Sequence, residues 1–276
     1  MRKNIFEILK NQKINVAEEI IKIESLFRNG SFNTLFNSVN RNFLKWRYRG
    51  THLNFFSLMR TFNLPDYNTC YELGEFSPYS KLTSDDMFNF FELISNMILF
   101  LKTNAPLEVS NPHIATNIKI IEENMFIVLE KYGYKFEQQQ DRIYIIKISE
   151  EATAVAENYE DIAEDVIEYK RFSLNGNLKR KRELLYNLSN KFEEIRPNLN
   201  QNCQSDLVKD IGTILNGLNI RHNNKNEEYV SNLSDEELEM WYDKAYDTML
   251  LAFMQNRYLA YKNDIKELRT TLKTNK

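Results

Sequence analysis

The sequence predicts an all-helical protein with one small β-hairpin, and three observations predict it. Glycine and proline are sparse, 7 and 5 in 276 residues, so few tight breaks interrupt the chain. Apolar residues recur three and four positions apart through most of its length, the period of helices with one buried face. Only near 134–148 does the pattern alternate, as paired strands require. With 42% hydrophobic residues the chain can bury a substantial core. Its 36 basic and 39 acidic residues leave a net charge of −3, too little for a global field to recruit nucleic acid or an anionic membrane. A polyanionic partner would need a local patch.

The first helix is expected in "INVAEEIIKIESLFRNG", where Val16, Ile20, Ile21, Ile23 and Leu26 precede an Asn-Gly stop, and the second in "FNTLFNSVNRNFLKWRY". After Gly50, Thr51 can cap a third that ends before Pro65, and 64–82 reads as loop. Thr83 or Ser84, followed by Asp85 and Asp86, starts a helix running to about Lys102. This is the most apolar stretch, but Asn89, Glu92, Asn96 and Lys102 interrupt it, so a buried core helix is expected rather than a membrane span. Pro106 and Pro112 bracket a connection, and "HIATNIKIIEENMFIVLEKYGY" is a helix closed at Gly133.

Next, "YKFEQQQDRIYIIKI" predicts strands near 134–138 and 142–148 around a Gln-Gln-Gln-Asp turn. A lone hairpin is marginally stable, so this one should lie against helices. Helix resumes in "EEATAVAENYEDIAEDVIEYKRFS" and, after an Asn-Gly break, in "NGNLKRKRELLYNLSNKFEEI". The acidic run of the former and the basic run Lys179 to Arg182 of the latter read as solvated faces, with mutual pairing as an alternative. After Pro197 come "DLVKDIGTILNGLNI" and a long final helix capped by Ser234 with Glu237 three positions on. The expected organisation is an N-terminal helical region of about 1–110 and a C-terminal helical domain of about 112–276 that includes the hairpin.

Cys70 and Cys203 lie far apart without a CxxC partner, and "MRKNIFEILKNQKINVAEE" has no uninterrupted apolar run behind its basic residues. A cytoplasmic protein without disulfides and without membrane association is expected. No HExxH, GxSxG, Walker or dinucleotide-binding pattern occurs, and His52, His113 and His222 are the only histidines. Histidine-based metal catalysis is therefore not expected, nor is any cofactor. "ENYEDIAED" brings Glu157, Asp161, Glu164 and Asp165 within reach of one face, a carboxylate magnesium option set against a plain solvated face. His113, behind Pro112, reads as a surface or capping residue.

The stretch "LNGLNIRHNNKNEEY", 215–229, sets Arg221 beside His222 in a polar break between an apolar helix and a capped amphipathic one. In this feature the chain resembles HEPN domains, the small helical bundles of many prokaryotic abortive-infection and toxin–antitoxin proteins. Their penultimate core helix ends in arginine, a polar residue, three or more variable residues and a histidine. Arg221 matches the arginine and His222 the polar position, while Asn226 stands where the family histidine first falls and no histidine follows.

The resemblance covers roughly residues 177–265. It implies a C-terminal HEPN-like bundle, metal-independent RNA cleavage in the cleft of a homodimer, and an antitoxin or other partner protein. On that reading Arg221 holds a phosphate and His222 exchanges a proton, with Asn223, Asn224 and Asn226 supplying hydrogen bonds to the substrate. Two alternatives stand beside it. Arg221 caps the carbonyls of the preceding helix while His222 packs in the turn, or the module binds a partner and breaks no bond.

"KWRYRGTH" offers a second pair, Arg47 and His52, with Trp46, Tyr48 and Arg49 around them. Basic residues interleaved with aromatics can grip phosphates and stack bases, which makes Arg47 and His52 candidate substrate-binding residues. The alternative is a helix end with Trp46 in the core. Trp241, Ala245, Met249 and Leu250 of the final helix are candidates for an interface or, more simply, for the core.

Overall fold

A computed structural model describes residues 15–28, 34–59, 61, 82–202, 205–221 and 232–274. The mainly helical class with a single hairpin is what the described residues show. The chain divides into two compact units, Met1–Ile146 and Lys147–Lys276. The expected boundary lay near 110. The helix that begins at Pro112 and the hairpin behind it are grouped instead with the N-terminal unit.

In the first unit the helices are α1 (Val16–Arg28), α2 (Leu35–Asn42), α3 (Phe55–Met59), α4 (Ser84–Asn104), α5 (Pro106–Val109) and α6 (Pro112–Tyr132). α1 buries Ile20, Ile23 and Phe27. Phe27, Phe36, Phe43 and Phe55 form an aromatic knot with centroids 5.5–6.2 Å apart. α2 passes into a 3-10 turn at Phe43–Lys45 and stops before Trp46, shorter than its pattern suggested. α3 starts late, because Asn54 and not Thr51 receives the free amide, that of Ser57 at 2.8 Å.

α4 is the core helix that its sequence predicts. Thr83 and Asp86 exchange side-chain-to-backbone bonds in a capping box, and Met87, Phe90, Phe91, Ile94, Met97, Ile98 and Leu101 are buried. No helix of the described residues is long and apolar enough to cross a membrane.

β1 (Tyr134–Gln139) and β2 (Arg142–Lys147) pair in the predicted place, with Gln140 at φ +54° in the turn and Gly133 at φ +75° ending α6. Two polar residues that disqualified α4 as a membrane span hold this hairpin. Asn96 donates to the Ile143 carbonyl at 2.7 Å and accepts from the Ile143 amide at 2.9 Å. One turn earlier, Glu92 accepts from the Ile145 amide at 3.1 Å. The side chains of α4 thus satisfy backbone groups of β2 that no third strand meets. Asn96→Leu is expected to cost about 2–3 kcal/mol by leaving the amide and carbonyl of Ile143 without a partner. Chemical denaturation measures it, and a loss below about 0.5 kcal/mol, the size of an ordinary surface change, would contradict the clamp.

The second unit contains α7 (Glu150–Asn158), α8 (Ala163–Tyr169), α9 (Leu178–Gln201), α10 (Ser205–Gly217) and α11 (Asp235–Thr274). One helix was expected over 150–173. It is two, parted at Tyr159–Ile162, with a 3-10 turn at Phe172–Leu174. Nor does α9 end at Pro197. The helix runs through it to Gln201, since a proline so near the end forfeits one hydrogen bond and its own side chain is exposed. The core of this unit is built from Leu184, Leu188 and Phe192 of α9, Ile211 and Leu215 of α10, and Tyr242, Tyr246, Met249 and Phe253 of α11. α11 starts at the predicted Ser234–Glu237 capping box, with bonds of 2.9 and 3.2 Å. Ala245, Met249 and Leu250 are buried and Trp241 packs partly against the core, so these residues take the core role, not the interface one.

Candidate functional site

The site is built around the end of α10. Gly217 closes the helix, the amide of Ile220 reaches back to the Leu215 carbonyl at 2.9 Å, and Asn219 adopts φ +52°. Asparagine takes the left-handed position that glycine usually fills, because its short side chain tolerates it. The chain then turns at Arg221. Its guanidinium pairs with Glu193 of α9, which also holds Arg196 one turn on at 3.1 Å. The Arg221 side chain is 18% exposed.

Arg221 therefore does not cap the carbonyls of α10, as one reading of the sequence had it. The Arg182 guanidinium donates to the Asn219 carbonyl at 2.6 Å, in the turn beyond the helix end. His222, Asn223, Asn224 and Asn226 lie outside the described residues, as do Cys70 and Cys203.

A cavity of about 560 Å³ opens beside the bend, lined by Lys179, Arg180, Arg182, Glu183, Tyr186, Asn187, Ile220 and Arg221. Four of these eight residues are cations. Three come from the first turn and a half of α9, where Asn177 caps the helix by accepting from the Arg180 amide at 3.1 Å. Tyr186 is 47% exposed, which leaves a ring face on the cavity wall.

The basic run was read as a solvated face, and its four members have different roles. Lys181 is buried, held by Glu239 and Asp243 at 2.8 Å each and lying 5.2 Å from the Tyr169 ring. Arg180 forks onto Glu168 of α8 at 2.7 and 3.0 Å and reaches Glu183 at 3.1 Å. Arg182 holds the bend. Lys179 is exposed. The acidic run meets this helix in turn: Asp161 pairs with Lys191 at 2.9 Å and Asp165 accepts from Asn187 at 3.3 Å. Among the described residues Glu168 with Arg180 is the pair that joins the two charge runs, while Asp161 and Asp165 meet α9 beyond the basic run. Among the described residues no group of three or more His, Cys, Asp or Glu is placed to hold a metal ion.

The hydrogen bonds from Arg180 hold the Glu168 carboxyl below the usual carboxylate range, although burial pushes it up. Burial raises Asp165 instead. For Glu168 the sign follows directly: a depressed folded value stabilises above the unfolded value of about 4.3 and is lost as pH falls through the folded one. Asp165, raised, contributes oppositely. Glu168→Gln should lower stability at neutral pH and close the gap to wild type in acid, read from denaturation midpoints between about pH 7 and 3. A gap that does not change with pH would refute the assignment.

Arg47 and His52, the second candidate pair, lie in the first unit and find different partners. Arg47 bridges to Asp141 at 2.8 Å, contacts the Tyr48 hydroxyl and lies 4.5 Å over the Tyr48 ring. Arg142 approaches the same ring at 4.7 Å, and Trp46 is half-buried against Phe43. His52 meets Ser57 at 3.2 Å through Nδ1. No catalytic geometry joins the two side chains. His113 is exposed at the start of α6, where its amide donates to the capping Asn111 at 3.0 Å.

Comparison with protein-family models, with curated proteins and with solved structures gives no match for this chain.

Proposed function

We propose that this protein acts on RNA, as a prokaryotic antiviral or stress-defence protein of the HEPN-like kind. The observation that carries the reading is the cleft beside the α10 bend, where Lys179, Arg180, Arg182 and Arg221 surround about 560 Å³ together with the exposed ring of Tyr186. Cations follow a phosphate chain, and an aromatic face accepts a base of any identity. The cleft opens where the chain leads into His222, the one side chain of that stretch able to carry a proton near neutral pH. Arg221 steadies charge on the phosphate and His222 takes the 2′-hydroxyl proton, with Asn223, Asn224 and Asn226 completing the contacts. The protein is intracellular and needs no metal for this chemistry.

A second reading is favoured by the Arg221–Glu193 pair. A guanidinium already holding a carboxylate is partly neutralised before substrate arrives, and Asn226 stands where the family histidine would fall. On this reading the bend shapes a dimer or partner-protein surface and nothing is cut.

Binding separates the RNA reading from the partner-surface one. Single-stranded RNA should bind with affinity falling linearly in log salt, with a slope of about −1.5 to −3 for two to four phosphate contacts. Lys179→Glu should weaken it about tenfold and reduce the slope by about 1. Affinity that ignores salt, or that Lys179→Glu leaves unchanged, would remove the cleft from the account.

A further inference from the structure

The final helix carries a second pattern that the bundle does not use. Ala252 and Phe253 are fully buried, Asn256 donates to the Tyr159 hydroxyl at 3.0 Å, and Leu259 packs partly against the core. From Ala260 onward no residue of α11 belongs to that core. On the outer face, Leu251, Met254, Tyr258, Tyr261, Ile265, Leu268 and Leu272 follow one another at alternating spacings of three and four. Six of them are 39–60% exposed, and Ile265 is half-buried. Such alternation averages 3.5 residues, the repeat of a coiled-coil seam, and here it covers roughly 30 Å at about 1.5 Å per residue. The lone projecting end of a helix is marginal in water, and large apolar side chains along it are covered best by a matching helix.

We propose that this seam joins two copies of the chain as an antiparallel coiled coil, with the two-fold axis between Leu259 and Ala260. Charge selects this arrangement. Arg257 and Asp264 flank the seam on one edge, both exposed and with no ion pair among the described residues. They stand two turns apart, roughly 10 Å along the axis, too far to pair with each other. Gln255, Lys262 and Arg269 flank the other edge.

A parallel dimer in register sets Arg257 against the partner's Lys262 and Asp264 against the partner's Arg269, one repulsion for each attraction. The antiparallel dimer sets Arg257 against the partner's Asp264 twice and leaves Lys262 facing the partner's Gln255. Its layers are Leu251 on the partner's Leu268, Met254 on the partner's Ile265 and Tyr258 on the partner's Tyr261. Sliding the copies by one heptad toward the C-terminus would oppose Lys262 to the partner's Lys262 and Asp264 to the partner's Asp264.

The preferred register also uses a groove of about 490 Å³ beside the seam, lined by Ile148, Leu251 and Met254 with Lys170 and Asp247. Ile148 is 46% exposed there. The partner's Leu272 falls level with Asp247 at this groove, and the partner's Lys273 comes beside that carboxylate. The seam and the RNA cleft share no residue, so either can fail alone.

Sedimentation equilibrium of the full chain tests this. A dimer of twice the 32.9 kDa chain is expected. Tyr261→Glu with Leu268→Glu should give a monomer with unchanged helical circular dichroism, since both side chains are exposed. Arg257→Asp should weaken the dimer about tenfold by replacing two attractions with two repulsions, and adding Asp264→Arg should restore it. A chain that stays monomeric at high micromolar concentration, or a dimer that survives the double glutamate variant, would overturn the seam. Tightening by Arg257→Asp would overturn the antiparallel arrangement, because a parallel pair gains from that change.

Discussion

Tyr246→Ala should cost the second unit about 4–5 kcal/mol, the largest stability loss expected of a single substitution in this unit. Tyr246 is fully buried, its ring stacks on Tyr169 at 4.2 Å with 10° between planes, and its hydroxyl donates to the Val166 carbonyl at 2.8 Å. Lys170 covers it at 4.4 Å from the centroid. Truncation leaves a ring-sized cavity, an unstacked tyrosine and a carbonyl without its donor. Tyr246→Phe retains the ring and should lose only about 1–2 kcal/mol. Burial pushes both tyrosine hydroxyls far above their ordinary titration range, so they remain protonated donors at any working pH. Chemical denaturation measures both variants. A cost for alanine near that for phenylalanine would show that the stack is not the centre of this core.

Much of this fold is legible in the chain, and the exceptions have physical causes. The capping boxes at Thr83 and Ser234 and the Gly133 stop are local chemistry, visible in three or four consecutive residues. The hairpin showed through its change of period, but its supports, Asn96 and Glu92, lie some fifty residues away and read only as polar blemishes in an apolar helix. The charge run at Lys179–Arg182 gives no local sign that Lys181 is interior and Lys179 exterior, because helix phase against a distant partner decides it. Pro197 looks like an end but stands near enough to the end of α9 to be tolerated. At the site, Arg221 was visible as a candidate, but the cleft beside it was not. Lys179, Arg182 and Tyr186 come from a helix some forty residues earlier, and Glu193, the partner of Arg221, reads in sequence as one more surface acid.

Arg221→Ala with His222→Ala should abolish RNA cleavage, lowering its rate by at least about 10³-fold while the helical signal is retained. A positioned proton acceptor accounts for about 10²–10⁴ of such a rate, and loss of the guanidinium removes electrostatic stabilisation of the phosphate as well. The assay is run in chelator, since the proposed guanidinium and imidazole chemistry calls on no metal. Arg221→Ala alone also frees Glu193 from one of its two arginines, so part of its effect is carboxylate repulsion of the phosphate. Arg221→Ala with Glu193→Gln separates the two: activity recovering toward wild type assigns the loss to Glu193, and activity that stays low assigns it to the guanidinium. Wild-type protein that never cuts RNA would favour the non-catalytic reading, in which the bend is a partner surface.

The most direct measurement is photocrosslinking of the full chain to RNA carrying 4-thiouridine, with the attached peptides identified by mass spectrometry. The cleft predicts RNA joined to the segment that contains Tyr186, whose ring is the exposed aromatic face among the cations. RNA attached only to the stretch around Arg47, Tyr48 and His52, or to no part of the chain, would contradict it.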